Sequence, residues 1–383
     1  MITEIQIENY KSIQNLKINL GRVNVFIGEN GCGKSNILEA IALASAAANN
    51  KLDNEYLAPR GIRNVEPQFM RSAFEKENLQ NDIKINLKVD DVFELKFELN
   101  HDNQPYSKWV DKGEIPHSSY SGSLKYLNEL MKKSPHDLKL LELINDDKRS
   151  RLIIQESSSG FPNLQTFFIY SPENTSLRKL DEEGQIQPLG IRGEGLFKLL
   201  KTISLNENKD QINEIKEKLK LLDWFEDFEI GQDSFGSENK IQIKDRYLDE
   251  NISYFDQRSS NEGFLFLMFY FTLFISNYTP KFFAIDNIDA SLNPKLCTRL
   301  IKELVELAKK YNKQVILTTH NPAILDGLNL GDDEQRLFEI YRSKSGSTKA
   351  QRITKPEPLE GEESIKLSEA FMRGYIGGLP KNF

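Results

Sequence analysis

The 383-residue sequence predicts an α/β fold with a mostly parallel sheet and a large mixed α+β insertion. Two observations predict it. Apolar strands alternate with helical spacings and end at polar residues, and one glycine-rich turn stands directly between such a strand and a helix. The composition, 39% hydrophobic and 28% charged, is that of an ordinary globular chain. Fifty Lys and Arg against 57 Asp and Glu leave a formal charge of -7, so no global positive field draws the chain to nucleic acid or acidic lipid. Any such contact must be a local patch. Cys32 and Cys297 make neither a zinc spacing nor a disulfide framework, the four histidines add no metal motif, and a cytoplasmic location is the expectation.

Ile2, Ile5 and Ile7 open a first strand, Leu16, Ile18 and Leu20 alternate in a second, and Val23, Val25 and Ile27 in a third that ends at Gly28. A helix follows from Lys34. This start lacks the basic and apolar segments of a signal peptide, so no export is expected. From about residue 50 the chain turns polar, with strands expected at Ile83 to Val89 and Val92 to Leu99 and a helix around Leu124 to Asn145. QTFFIYSP, ending at Pro172, resumes an apolar strand, and GIRGEGLFKLLKTI is a turn entering a helix. Ile212, Ile215, Leu219 and Leu222 recur at helical spacing, and Lys240 to Ile243 reads as a further strand. Phe264 to Ile275 is apolar throughout. At about a dozen residues it is too short for a bilayer, which needs roughly 20, so it reads as a helix buried on all sides and no membrane is expected. KFFAID, a helix from Pro294 to about Tyr311, QVILTTH and a strand near Leu337 to Tyr341 complete the alternation. The expected division is a nucleotide-binding head from 1–50 and 165–345, an insertion at 51–164 for lid or partner recognition, and a tail helix in 346–383. There is no internal repeat and no sustained heptad pattern.

Gly28 to Ser35, GENGCGKS, fits GxxxxGKS in the strand-then-helix context that gives the pattern its meaning, and predicts nucleoside triphosphate binding. The expected contacts are Asn30, Gly31, Cys32, Gly33, Lys34, Ser35 and Asn36. Glycines let backbone N–H groups turn toward the phosphates, Lys34 adds a point charge, and the Ser35 hydroxyl suits Mg2+. Asp286 ends the apolar run FFAID and is the second expected metal contact. His320 ends QVILTTH at the same sheet edge; it is either a structural hydrogen-bonder or a group reaching the γ-phosphate or the attacking water. Arg258 to Gly263, RSSNEG, precedes the apolar helix and reads either as an N-cap or as an anion contact through Ser259, Ser260 and Gly263.

These elements, in this order, resemble the ABC-type ATPase heads of the SMC, RecF and OLD group of P-loop NTPases, within the AAA family ATPases. The opening IENYKSIQNLKINLGRVNVFIGENGCGKSNILEAI is similar to that group's start. The resemblance implies a signature motif at Arg258 to Gly263, a Walker B strand and D-loop at Ile285 to Pro294 with Asp289 in the loop, and a switch histidine at His320. It further implies ATP with Mg2+ as cofactors, and a homodimer or higher even-numbered homo-oligomer in which two ATP molecules lie between paired heads. Two positions depart from the pattern. Asn287 stands where the group carries a Glu beside Asp286, and an amide cannot accept a proton near neutral pH, so slow hydrolysis is expected, with Asp289 a conceivable substitute base. Gly263 lies three residues after Ser260 instead of two, which leaves open which serine meets the phosphate.

Long heptad arms are absent, and only 63 residues follow His320, too few for a TOPRIM nuclease. A compact head of this kind resembles the ATPase subunits of bacterial anti-phage modules such as Septu and PARIS. That implies a sensor or scaffold controlling a separately encoded effector, a nuclease by expectation. The alternative is a RecF-like repair ATPase that binds DNA when ATP is bound. For DNA, Arg60, Arg63 and Arg71, or Lys132, Lys133, His136 and Lys139, make a local basic patch or else a solvated surface. The tail's Leu367, Phe371 and Tyr375, at helical spacing, read as a helix packed on the head or as a docking segment.

Overall fold

The structure, a computed structural model, describes residues 1–63, 65–90, 93–104, 107–113, 160–179, 186, 188–205, 209–231, 241–249, 254–256, 258–355 and 365–376. The helix expected at 124–145, and with it Lys132, Lys133, His136 and Lys139, lies outside these residues.

In chain order the elements are β1 (Ile2–Tyr10), β2 (Ile13–Asn19), β3 (Val23–Ile27), α1 (Lys34–Ala48), α2 (Asn54–Leu57) and α3 (Pro67–Met70). Next come β4 (Ile83–Val89), β5 (Phe93–Asn100), β6 (Val110–Asp111), α4 (Gly160–Gln165), β7 (Ile169–Tyr170), α5 (Asn174–Leu177), α6 (Leu196–Leu205) and α7 (Lys209–Leu219). They are followed by β8 (Phe225–Ile230), β9 (Ile241–Asp245), β10 (Phe255–Asp256), α8 (Glu262–Ile275), β11 (Phe282–Ile285), α9 (Pro294–Lys310) and β12 (Gln314–Thr319). The 3-10 turn Pro322–Gly327, β13 (Gln335–Arg342), β14 (Thr348–Ile353) and α10 (Leu367–Met372) complete the order.

The central sheet has the order β14-β13-β3-β12-β11-β7 and is parallel except for the β13–β14 hairpin. Strands β3, β12, β11 and β7 are buried at every position, so they separate two cores. Val23, Val25, Phe283, Ile285, Val315 and Leu317 face helices α6 to α9. Phe26, Phe282, Ala284 and Ile316 face α1. That helix is rich in small residues, Ala40, Ala42, Ala44 and Ala46 among them, and is buried on nearly every side. Its far side meets Ile5, Ile7, Ile85, Leu87 and Leu99 of a second sheet, antiparallel in the order β2-β1-β4-β5-β6. Strands β4 and β5 fall inside 51–164; β4 pairs with β1, Ile5 opposite Leu87 and Ile7 opposite Ile85, and β5 pairs with the other edge of β4. Likewise β14 falls inside 346–383 and pairs with β13.

A third, three-stranded sheet, β10-β9-β8, carries the chain toward α8. In α8, Asn261 caps the first turn by accepting from the Phe264 N–H at 2.8 Å, and every residue from Phe264 to Ile275 is buried. Beyond its other end, buried Lys313 donates to the carbonyls of Ser276, Thr279 and Pro280 at 2.9 to 3.0 Å. Among the described residues, no helix is long and apolar enough to cross a membrane.

Candidate functional site

Strands β3, β11 and β12 run side by side and end together, so the residues after each meet at one sheet edge. After β3 the chain must turn tightly into α1. A Cβ at Gly28 would stand 2.1 Å from the Ile340 carbonyl, and one at Gly33, where φ is +111°, 2.1 Å from the Thr348 hydroxyl. Both glycines are thus required by contact with the β13–β14 hairpin. That hairpin also holds the loop's carbonyls. The Thr348 hydroxyl donates to Cys32 O at 2.8 Å, and Arg342 Nε donates to Gly31 O at 2.9 Å. No side chain caps α1 and its first turn holds no acid, which leaves that helix end electropositive.

Lys34 is 6% exposed and its ammonium donates to the carbonyls of Gly28 at 2.8 Å and Glu29 at 3.1 Å. Burial lowers its pKa, while neighbouring Cys32, Asp286 and Asp289 pull it back up. The Ser35 hydroxyl donates to Asp286 Oδ2 at 3.1 Å. The other Asp286 oxygen accepts from Thr318, whose hydroxyl in turn accepts from the Asn287 N–H at 2.9 Å. Thr319, the next residue of β12, donates to Asp289 at 2.6 Å. His320 follows, exposed at the sheet edge. Burial first, and then the Lys34 charge, lower its pKa below the ordinary 6.5. Asn287 is exposed with φ at +56°, a left-handed conformation that Asn tolerates better than most residues. Asn30 and Gly31 are exposed at the loop tip, Cys32 is buried beneath it, and Asn36 donates to Ser12 at 2.6 Å.

Lys34, Ser35, Asp286, Asp289 and His320 therefore converge. Their donor set fits a nucleoside triphosphate. The uncapped helix start and the Lys34 ammonium suit phosphate oxygens, and the Ser35 hydroxyl and Asp286 carboxylate are hard oxygens already within hydrogen-bond reach of each other. Ser259, Ser260 and Gly263 stand at the start of α8, where a Cβ on Gly263 would be 3.5 Å from the Ser291 carbonyl oxygen. Ser260 is buried, Ser259 is exposed and bonded to Asp256, and Glu262 is tied to Ser291 in the loop after Asp289.

Several neighbours have no local signal in the sequence. Buried Glu39, one turn along α1 from Ser35, accepts from Lys11, Arg63 and Tyr10. Arg178, just after α5, reaches Arg258 O and Ser260 O in the loop before α8. Residues 171–174 follow β7 to the same edge, next to Asp286, whose N–H donates to Tyr170 O at 2.8 Å. The parallel register of β7 with β11 is what could have found them.

The arginine patch weighed from the sequence is not a basic face. Arg71 is buried and donates to Asn81 O, Asn103 and His101 O. Arg60 stacks on Tyr56 and Phe168, and Arg63 pairs with Glu39 and bonds to Asn36. Each is engaged by a different group, and of the three Arg63 remains largely exposed.

This geometry defines an α/β phosphate-loop ATPase head, with mixed parallel and antiparallel sheets. The chain belongs to the AAA ATPase domain family, whose model matches residues 1–325. Two solved structures are similar along most of the chain: an Smc head bound to the C-terminal winged-helix domain of ScpA, and a coiled-coil-bearing Smc head bound to the C-terminal domain of ScpA derived from Pyrococcus furiosus. The first has a TM-score of 0.57 at 16% identity over 92% of this chain and 97% of that one. The second has a TM-score of 0.50 at 14% identity over 92% and 96%. These likenesses show the fold. In sequence the chain is 42% identical over 55 residues to the DNA replication and repair protein RecF of Bacillus mycoides, a match covering 14% of this chain and 15% of that protein. It is 23% identical over 341 residues to the ATP/GTP phosphatase of Helicobacter pylori, covering 86% of this chain and 88% of that one.

Proposed function

We propose that the chain is an ATP-gated head that pairs with a second copy around two ATP molecules, hydrolyses them slowly, and binds DNA in the ATP-bound state in the manner of RecF. The observation that carries the nucleotide reading is the Ser35–Asp286 contact beneath an uncapped α1, with Lys34 and His320 at the same edge. On this reading Lys34 exchanges its two loop carbonyls for phosphate oxygens. Ser35 and Asp286 are the residues that would hold Mg2+. Mg2+ would supply charge neutralisation on the β and γ phosphates. His320, held neutral, offers a hydrogen bond without adding charge, and the signature serines serve the partner head. Asn287 orients water but cannot take its proton, so the paired state is long-lived.

DNA as the output is supported by the likeness to RecF over 55 residues. A second reading, a scaffold for a separately encoded effector in anti-phage defence, is favoured by one observation: Arg71 is buried, Arg60 is stacked on Tyr56 and Phe168, and exposed Arg63 is already paired with Glu39, so the three make no shared basic face. One experiment separates them. Native mass with ATP and Mg2+ is expected to rise from monomer to dimer, and Lys34→Ala to abolish that rise together with nucleotide binding. A labelled duplex should then bind only with ATP and with a steep salt dependence. Pairing without DNA retention at low salt would move the effector reading to the front. A mass that ignores ATP would refute the paired head.

A further inference from the structure

The loop that leads into α8 is already built in the single head. Asp256, at the end of β10, gathers three donors on one carboxylate oxygen: the Arg258 N–H at 3.0 Å, the Ser259 N–H at 3.1 Å and the Ser259 hydroxyl at 3.2 Å. From the other side comes Arg178. Its two terminal nitrogens donate to Arg258 O at 2.6 Å and Ser260 O at 2.8 Å, while its Nε donates to Asn174 at 2.9 Å. One residue thus holds the loop's N–H groups and another its carbonyls. A planar guanidinium suits two carbonyls that stand two residues apart, and Asn174 fixes its orientation. The next residue, Asn261, caps α8, and Glu262 is bonded to Ser291 beyond the D-loop Asp289.

The location of Arg178 gives this clamp a second meaning. It follows α5 directly, and α5 begins four residues after Tyr170, whose carbonyl receives the Asp286 N–H. The nine residues from Tyr170 to Arg178 therefore touch the edge of the head's own nucleotide site at one end and the signature loop at the other.

We propose that Arg178, oriented by Asn174 and opposed by Asp256, is the positioning residue that holds the signature loop in the shape it presents to the nucleotide of a partner head. This rests on the paired-head reading above. A loop fixed before contact loses little conformational freedom when the heads close, whereas a loose one must be ordered by the contact itself. Removing the fork frees two carbonyls and leaves the phosphate loop, Ser35 and Asp286 in place.

The test compares Arg178→Gln, Arg178→Lys, Asp256→Ala and Asp256→Asn with the unaltered full-length chain. Two quantities are read: affinity of the single head for a fluorescent ATP analogue, at protein concentrations below pairing, and the dissociation constant of the ATP-dependent dimer by analytical ultracentrifugation. Arg178→Gln and Asp256→Ala are expected to weaken pairing about tenfold or more, as the loss of charge-assisted hydrogen bonds implies, while analogue affinity stays within about twofold. Arg178→Lys keeps the charge but not the fork and should fall between. Asp256→Asn keeps an acceptor oxygen and should recover most of the pairing. Variants that pair as tightly as the unaltered chain would overturn the positioning role while leaving paired heads intact. So would a loss of analogue affinity parallel to the loss of pairing, which would mark general damage. If the unaltered chain does not pair with saturating ATP, the paired-head reading falls first and this inference with it.

Discussion

The two large sheets are built from the same kinds of apolar residue but in different patterns, and only one of them carries chemistry. In the central sheet, β3, β11 and β12 are buried at every position, and the chain leaves each strand into Gly28, Asp286 and His320. In the antiparallel sheet, β1, β2 and β4 alternate, with one face on α1 and the other laced by Lys17–Glu4, Lys88–Glu4 and Lys84–Glu98. A sheet covered on both faces meets solvent mainly at its ends, so its functional groups collect there. A sheet covered on one face has a whole surface to solvate, and uses charge for that.

The sharpest way to break this contrast is to cut one buried leucine from each sheet. Leu317 and Leu99 are both fully buried, so Leu317→Ala and Leu99→Ala should each cost about 2–5 kcal/mol of stability, read by urea unfolding. Leu317 immediately precedes Thr318 and Thr319, which hold Asp286 and Asp289, so its removal should also weaken nucleotide affinity roughly tenfold or more at a loss of that size. Leu99 lies in β5, two strands from β1, and its removal should leave nucleotide affinity near its starting value. Equal losses of affinity in the two variants would end the distinction between the lobes.

A smaller effect is expected at Asn287. Its φ of +56° disfavours most side chains, so Asn287→Ala should lose about 1–2 kcal/mol, and Asn287→Gly little of it. Asn287→Glu carries a similar strain yet supplies a carboxylate beside Asp286, and its ATP turnover should rise. Unchanged or slower turnover, measured as phosphate release per head, would sink the view that the amide slows hydrolysis. Strain of this kind belongs with the central sheet's edge, where Ser291 is also left-handed at +60°.

The same contrast explains what the sequence revealed. The phosphate loop, Asp286 and His320 were legible because a strand buried on both faces is a short continuous apolar run, and the first polar residue after it marks the sheet edge. Strands β4 and β5 were legible as strands through their alternation. The pairing of β4 with β1 was not, since register across more than seventy residues has no local imprint. Arg71 read as surface charge because nothing near it in sequence announces Asn103, and the partner of exposed Arg63, buried Glu39, was equally unannounced. Arg178 and Asp256 were missed for a related reason: Arg178 reaches a loop eighty residues away, and Asp256 looked like one acid among many. Hydrophobic period reports where a backbone lies, whereas hydrogen-bond partners across the fold are set by topology.

The charge-laced face of the antiparallel sheet gives the smallest effect and the cleanest sign. Glu4 is drawn upward by partial burial, but hydrogen bonds and charge from Lys17 and Lys88 outweigh this and leave its pKa below 4.5. A carboxylate with a lowered pKa stabilises the fold fully above its unfolded value, and that contribution is lost as pH falls through the folded one. Glu4→Gln keeps the shape and removes the charge, so it should cost no more than about 1 kcal/mol at pH 7, because both lysines are well exposed and water screens the pairs. The difference between the two proteins should hold from pH 7 down to about 5, then shrink toward zero as Glu4 takes up its proton. It should also shrink in high salt, and nucleotide affinity should not move at any pH. A cost several times larger would mean that these lysines and Glu4 help hold α1 and the phosphate loop through the sheet, and that the two lobes are one functional unit.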